Sequence, residues 1–458
     1  MKRTLVAETT ENVGKKLVLK GWVNTVRDHG QVVFIDLRDR SGLVQVVGDK
    51  KLAEVHPEDV VEIEGTVNQR PEKMINPDLE TGKIEIKAEK IRVLAKAAEL
   101  PLPIEGNGYD IEETVRLKYR YLDLRRPRLN KNIRLRSQFV QRCRQFLFDG
   151  DFIEIETPLL TKSTPEGSRD FLVPARLQSG KFFALPQAPQ QYKQLLMTAG
   201  FERYFQIARC LRDEDLRANR TFEHTQIDME LSFVEKENVM AVTEEMFTKV
   251  FESFGRKIKK KPFPIFTYQE AIKKFGSDKF DLRDQKDKKE GVLAFAWVID
   301  FPFFEKDKDG KWTFTHNPFS APIAEDKEKL LKKKEIGSIL ASQYDLVCNG
   351  EEVGGGSIRS HQSEVLSAVF EILGYKKEEI EEKFGHMLEA FKYGAPPHGG
   401  IALGIDRLLM ILTGESSLRE VVAFPQTSSG TTAVMDAPSH VEAEQLKELG
   451  IQVIKKDK

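Results

Sequence analysis

Two apolar, strand-like runs, Tyr204–Ala208 and Met229–Val234, flank a polar stretch that holds Arg212, Asp213, Glu214, Asp215, Arg217, Arg220, Glu223 and Asp228. Two antiparallel strands joined by so polar a loop set guanidinium groups beside carboxylates on one platform. Such a platform suits a site that orients a polyphosphate and an amine-bearing substrate together. A salt-bridged surface hairpin, whose exposed ion pairs are nearly neutral in energy, uses the same residues. On the hairpin alone both readings stand.

A second element lies far away in the chain. Residues 399–412 read as a glycine-containing strand that runs into an apolar helix with Arg407 near its start. Glycines let a backbone approach a ligand closely, and an arginine beside a helix N-terminus adds positive charge where anions already bind well. A third segment, Gly150 to Phe171, carries Thr157-Pro158 and Glu166-Gly167 after a helical run that Gly150 stops.

The 458 residues suffice for two or three domains with sizeable cores. Residues 1–103 contain five short β-rich runs separated by turn formers: 16–25, 32–37, 43–47, 60–67 and 83–93. They predict an OB-fold barrel that binds oligonucleotides. Residues 104–130, rich in charge and proline, read as a hinge. Residues 131–458 mix strands and helices without a βαβ rhythm, which predicts an α+β domain on an antiparallel sheet and disfavours a Rossmann site. A net charge of −1 exerts no global pull on polyanions, so such contacts need local patches. The run Arg116–Arg144 holds eleven Lys or Arg against one acid, Asp123, and is expected to face phosphate. Three widely spaced cysteines argue for a reducing compartment. With no apolar run of about 18 residues, the expectation is a cytoplasmic protein without membrane contact.

Taken together with Gly21–Asn24, Phe34–Arg40, Tyr119–Arg126, Pro189–Met197, Gly354–Arg359 and Pro397–Gly400, the three elements resemble the ordered motifs of class II aminoacyl-tRNA synthetases, and within them the bacterial aspartyl-tRNA synthetases. The resemblance implies an N-terminal OB-fold anticodon-binding barrel, a class II antiparallel-sheet catalytic domain and a homodimer. It implies the cofactors ATP and Mg²⁺ and the substrates L-aspartate and tRNA(Asp). Bacterial members carry an inserted domain after a segment that corresponds to Ser277–Arg283. Here only nine residues, 284–292, separate that segment from Leu293, so the insertion is missing.

Site residues follow from the same resemblance. Glu166, Gln190, Lys193, Arg212, Asp228, His316 and Arg359 match residues around the aspartate, with Lys193 and Arg359 on its side-chain carboxylate. Arg212, Asp213, Glu214, Thr221, His224, Glu352, Gly404, Ile405, Asp406 and Arg407 match the ATP site, and Asp345 and Glu352 the Mg²⁺ ligands. His224 departs from the family's phenylalanine over adenine. In the barrel, Arg27, His29, Phe34, Gln45 and Gly82 match anticodon contacts. His29 stands where members that charge both tRNA(Asp) and tRNA(Asn) resemble this chain, and Gly82 is expected near the same base, where it imposes no steric selection. Asparaginyl- and lysyl-tRNA synthetases share the barrel and motifs, and a paralogue that has lost tRNA charging is the remaining alternative.

Overall fold

The computed structural model describes residues 2–163 and 167–454. The chain forms two units, Met1–Pro103 and Ile104–Lys458.

In the first unit, β1 (Lys16–Asp28), β2 (Val33–Asp39), β3 (Gly42–Gly48), β4 (Val60–Gln69) and β5 (Ile84–Ala95) close a barrel in the order β1-β2-β3-β5-β4. Alternation explains its two faces. Val33, Ile35 and Leu37 point into a core shared with Leu19, Val23, Val46 and Ile63, while Phe34, Asp36 and Arg38 stay outside it. Each such buried aliphatic side chain contributes about 1.5–3 kcal/mol.

In the second unit an eight-stranded sheet is built from β6 (Ile153–Glu154), β7 (Arg203–Leu211), β8 (Glu223–Ser232), β9 (Ile265–Thr267), β10 (Phe295–Pro302), β11 (Leu340–Cys348), β12 (Glu351–Ile358) and β13 (His398–Gly404). Their order is β9-β10-β11-β12-β13-β8-β7-β6, antiparallel except for the edge pairs β9–β10 and β7–β6. Helix α1 (Pro127–Asp149) begins with proline at its first turn and ends at Gly150, as the apolar spacing predicts. Helices α2 (Gln190–Thr198), α3 (Lys236–Ser253) and α4 (Ile405–Thr413) complete the frame. Phe139, Cys143 and Leu147 of α1 and Phe247 and Phe251 of α3 share one core with Ile227, Met229 and Leu231 of β8 and Ile401 and Leu403 of β13. Gln226, Asp228 and Glu230 lie on the alternate face of β8.

Residues 104–130, the expected hinge, fall within the second unit. The basic run does not turn to phosphate as a whole. Asp123, fully buried, accepts hydrogen bonds from Arg116 Nε (3.1 Å), Arg120 Nη1 (2.9 Å) and Arg126 Nε (2.8 Å). Glu420 binds Arg116 and Arg128, each at 2.7 Å, and Arg144 pairs with Glu154 at 2.9 Å. Asp123 within the run, Glu154 close by and Glu420 about three hundred residues away thus neutralise much of a run that looks solvent-facing on a linear reading.

Candidate active site

A cavity of about 360 Å³ opens on the polar face of the sheet. The pleat of β8 sends Asp228 and Glu230 to this side, α2 brings Lys193, and the residue after β12 is Arg359. All four are buried. Lys193 Nζ lies 2.8 Å from Asp228 Oδ1 and 3.3 Å from Glu230 Oε2. Arg359 donates to both Glu230 oxygens, at 2.9 and 3.1 Å, and to Ser357 Oγ at 2.8 Å. Buried charges need this degree of pairing, because desolvation costs several kcal/mol per ion. Burial pushes both acids up. On Asp228 it prevails over Lys193, whereas Arg359 and Lys193 overcome it on Glu230 and hold that carboxyl at about 2. Glu230 escaped the sequence reading. Its one local signal is its place two residues beyond Asp228 on the same strand face.

Gly355 and Gly356 line the cavity, and Gly400 packs against Glu230. A Cβ on Gly400 would sit 2.1 Å from Glu230 Oε2, one on Gly356 2.2 Å from the Gly400 carbonyl, and one on Gly355 2.9 Å from Asp345 Oδ1.

Arg212 and Gln190 line the cavity, and their Nε and Nε2 atoms are buried without hydrogen-bond partners among the described residues. Buried donors left this way are costly and fit an incoming anion or carbonyl. Glu214 pairs with Arg220 at 2.9 Å and accepts from the Ser168 hydroxyl. Thr221, Gly404 and Arg407 also line the cavity, and Arg407 Nη1 donates to the Glu352 carbonyl at 2.8 Å. Three positions differ from the expected pattern. Asp213 is not in the lining and faces Arg169 at 3.8 Å. The Ile405 side chain is fully buried in the apolar core. Asp406 reaches the wall, but its oxygens are taken by the Thr225 N–H (2.9 Å) and the Arg136 guanidinium. Glu166 lies outside the described residues.

His224 is held neutral. Burial, then Arg212, Arg407 and Arg209, push its imidazole down from 6.5 to about 3. The unfolded chain therefore binds a proton near pH 6.5 that the folded chain refuses until about pH 3, so stability falls on acidification through that window. His224→Phe is expected to flatten the pH dependence of the melting temperature there, and an unchanged slope would contradict the assignment.

Asp345 and Glu352 contribute hard carboxylate oxygens, two of which suffice for Mg²⁺ with its retained waters. Asp345 accepts from Gln343 Nε2 at 2.7 Å and faces His316 Nε2 at 3.2 Å. Burial raises its carboxyl against the pull of His316. Glu352 lies 2.9 Å from Lys279 Nζ; burial would raise it, but Lys279 and Arg407 bring it down. Cationic side chains thus stand where a divalent ion fits. Lys279 is a second cavity residue that the sequence reading missed.

On the barrel, Arg27 forks onto Asp36 at 2.8 and 3.0 Å and touches Gln45 Oε1 at 3.4 Å. Gln45 donates to Glu85 at 3.0 Å. Phe34 is half-buried outside the barrel core, directly opposite Arg27 in the ladder, and His29 meets its ring edge-on with centroids 5.7 Å apart. Gly82 also has a structural reason to be glycine. A Cβ there would lie 1.7 Å from the Asn76 carbonyl, so glycine closes the 76–82 turn.

A match to the class II tRNA synthetase family (D, K and N) covers residues 112–428, and a match to the OB-fold nucleic acid binding domain covers residues 17–94. An aspartate–tRNA(Asp/Asn) ligase of Natranaerobius thermophilus is 41% identical over 98% of this chain and 98% of its own. One from Phenylobacterium zucineum is 41% identical over 96% of each. The first of these alignments spans 579 positions against the 458 residues present here, so the relative has a substantial segment with no counterpart. Among solved structures, asparaginyl-tRNA synthetase from Pyrococcus horikoshii, complexed with asparaginyl-adenylate, superposes with a TM-score of 0.74 at 22% identity, covering 93% of this chain and 98% of that one. Aspartyl-tRNA synthetase from Entamoeba histolytica gives 0.73 at 21%, covering 93% and 91%.

Proposed function

The chain belongs to the class II tRNA synthetases of the aspartate, lysine and asparagine group, and from that premise we propose that it is an ATP-dependent aspartate–tRNA ligase that charges both tRNA(Asp) and tRNA(Asn). The observation that carries the choice of aspartate is the buried pair Lys193 and Arg359 at the cavity wall. A side-chain carboxylate meets two cations there. An asparagine amide leaves them poorly paired, and a lysine ammonium is repelled. The dual tRNA range rests on the relatives' names together with His29 against Phe34.

In the first half-reaction an α-carboxylate oxygen of aspartate attacks the α-phosphorus of ATP, the bond to the bridging oxygen breaks, and pyrophosphate leaves with that electron pair. The two anions repel, so the site must neutralise and align them. Arg212 is the cation between them, its Nε, unpartnered among the described residues, available to either, and Gln190 offers its Nε2, likewise unpartnered there, to the substrate. Neutral His224 offers a flat face to adenine, and Arg407 takes the far phosphate. Bound Mg²⁺, held by Asp345 and Glu352, would offset polyphosphate charge. Asp228 and Glu230 keep Lys193 and Arg359 in place. In the second half-reaction the terminal ribose hydroxyl of tRNA attacks the acyl carbon and AMP departs.

Pyrophosphate exchange with each of the twenty amino acids tests this reading; the expected result is exchange with aspartate alone, and exchange with asparagine or lysine would overturn it. Charging of both tRNA transcripts tests the second half. For the tRNA range, His29→Leu is expected to shift the charging ratio toward tRNA(Asp) by roughly tenfold, the effect of a contact of about 1.4 kcal/mol. An unchanged ratio would remove His29 from the assignment.

The chain further acts as a homodimer in the cytoplasm. Exposed Ile153, Leu159, Leu160, Leu172 and Phe182 after α1 offer apolar surface for a two-fold contact, and obligate interfaces bury more than about 2,000 Å². Sedimentation at micromolar concentration is expected to show twice the chain mass, and a monomer alone would refute it. Cys143, Cys210 and Cys348, none of them in a disulfide, suit a reducing compartment.

A further inference from the structure

Lys279 lines the cavity and has no part in the chemistry derived above. The main chain on either side of it is anchored. Phe275 and Phe280 stack with centroids 4.1 Å apart, and Phe280 is buried among Ala271, Ala296, Phe301 and Val347. Just beyond, Arg283 clasps Asp281 at 2.9 Å. Between these anchors the Lys279 side chain keeps 46% exposure, against 2% for Lys193. The contrast separates two kinds of cation. Lys193 is locked between two acids, whereas Lys279 has one ion-pair partner among the described residues, Glu352 at 2.9 Å, on a flexible four-carbon stem.

Glu352 is also where Arg407 docks, through the main-chain carbonyl. Two cations therefore converge on one residue, and Arg407 is the one assigned above to the far phosphate of ATP. When Glu352 takes up a divalent ion, its carboxylate has less to offer an ammonium, and the strongest nearby anion becomes the polyphosphate itself. We propose that Lys279 binds the β- and γ-phosphates of ATP and the departing pyrophosphate, resting on Glu352 when the site is empty and moving to phosphate oxygen when magnesium and nucleotide enter. This deepens the activation reading given above and rests on it.

Lys279→Met keeps the stem and removes the charge; Lys279→Arg keeps the charge. At saturating Mg²⁺, Lys279→Met is expected to raise the KM for ATP, and the Kd of pyrophosphate measured by calorimetry, by about tenfold or more, as for loss of a hydrogen bond to a charged group. The KM for aspartate is expected to stay within about twofold, and Lys279→Arg to recover most of the loss. Should Lys279 serve only as counter-ion to Glu352, the methionine variant would bind pyrophosphate like the wild type and need less Mg²⁺ for half-maximal exchange; that pattern overturns the proposal. A parallel loss of aspartate affinity or of melting temperature in both variants makes Lys279 structural and overturns it too. Failure of the wild type to exchange with aspartate counts against the aspartate reading, while the calorimetric arm still decides the role of Lys279.

Discussion

Replacement of Arg359 by leucine is expected to reduce aspartate-dependent pyrophosphate exchange by about a thousandfold while ATP binding stays near the wild-type value. Two losses combine. The substrate carboxylate meets one cation instead of two, and Glu230 forfeits the fork that satisfies both its oxygens. Breaking a buried pair by removing one partner costs about 3–5 kcal/mol, because the other charge stays in a dry site. The acid limb of stability should move as well. In the native chain Glu230 lies near 2, down from an ordinary value of 4.5, so its contribution is present above pH 4.5 and is lost as the pH falls through about 2. Without Arg359 much of that contribution disappears, and acid unfolding should begin at a higher pH. Exchange at near wild-type rates would show that the aspartate side chain binds elsewhere.

The largest stability effect is expected at Asp123→Asn, far from the chemistry. One carboxylate there serves Arg116, Arg120 and Arg126. The neutral amide leaves three guanidinium groups sharing a buried site with insufficient negative charge, at a cost of about 3–5 kcal/mol. For a unit of this size that corresponds to roughly 4–7 °C in melting temperature. Calorimetry should show the drop in the transition of the second unit, with the barrel transition unmoved. A shift of less than about 2 °C would mean that Glu420 and the backbone carbonyls around Arg120 suffice without Asp123.

The periodic parts of this fold were legible because period and punctuation are local. Alternation marked the five barrel strands, and Gly150 marked the end of α1. The central hairpin betrayed itself through apolar flanks around a polar loop. What stayed hidden depends on partners distant in sequence. Nothing near Glu230 announces that Arg359, 129 residues on, will fork onto it. The density of arginines from 116 onward has the same appearance whether they face water or Glu415 and Glu420. Asp406 reaches the cavity wall, but its motif does not show that Arg136 and the Thr225 amide occupy its carboxylate. Lys279 belongs to a segment whose main interest on paper was the missing insertion, so its side chain drew no notice.

The glycines at 355 and 356 in the cavity lining, and at 400 against Glu230, limit how this protein can be redesigned. Engineers usually enlarge a specificity pocket by trimming a side chain, but here the neighbouring backbone has already been trimmed to hydrogen, and any addition strikes a carbonyl, Glu230 or Asp345. Saturation libraries at these positions should return only the parent residue. The two side chains set against the substrate's carboxylate, Lys193 and Arg359, both carry charge, so room made by trimming either is made together with a change of charge.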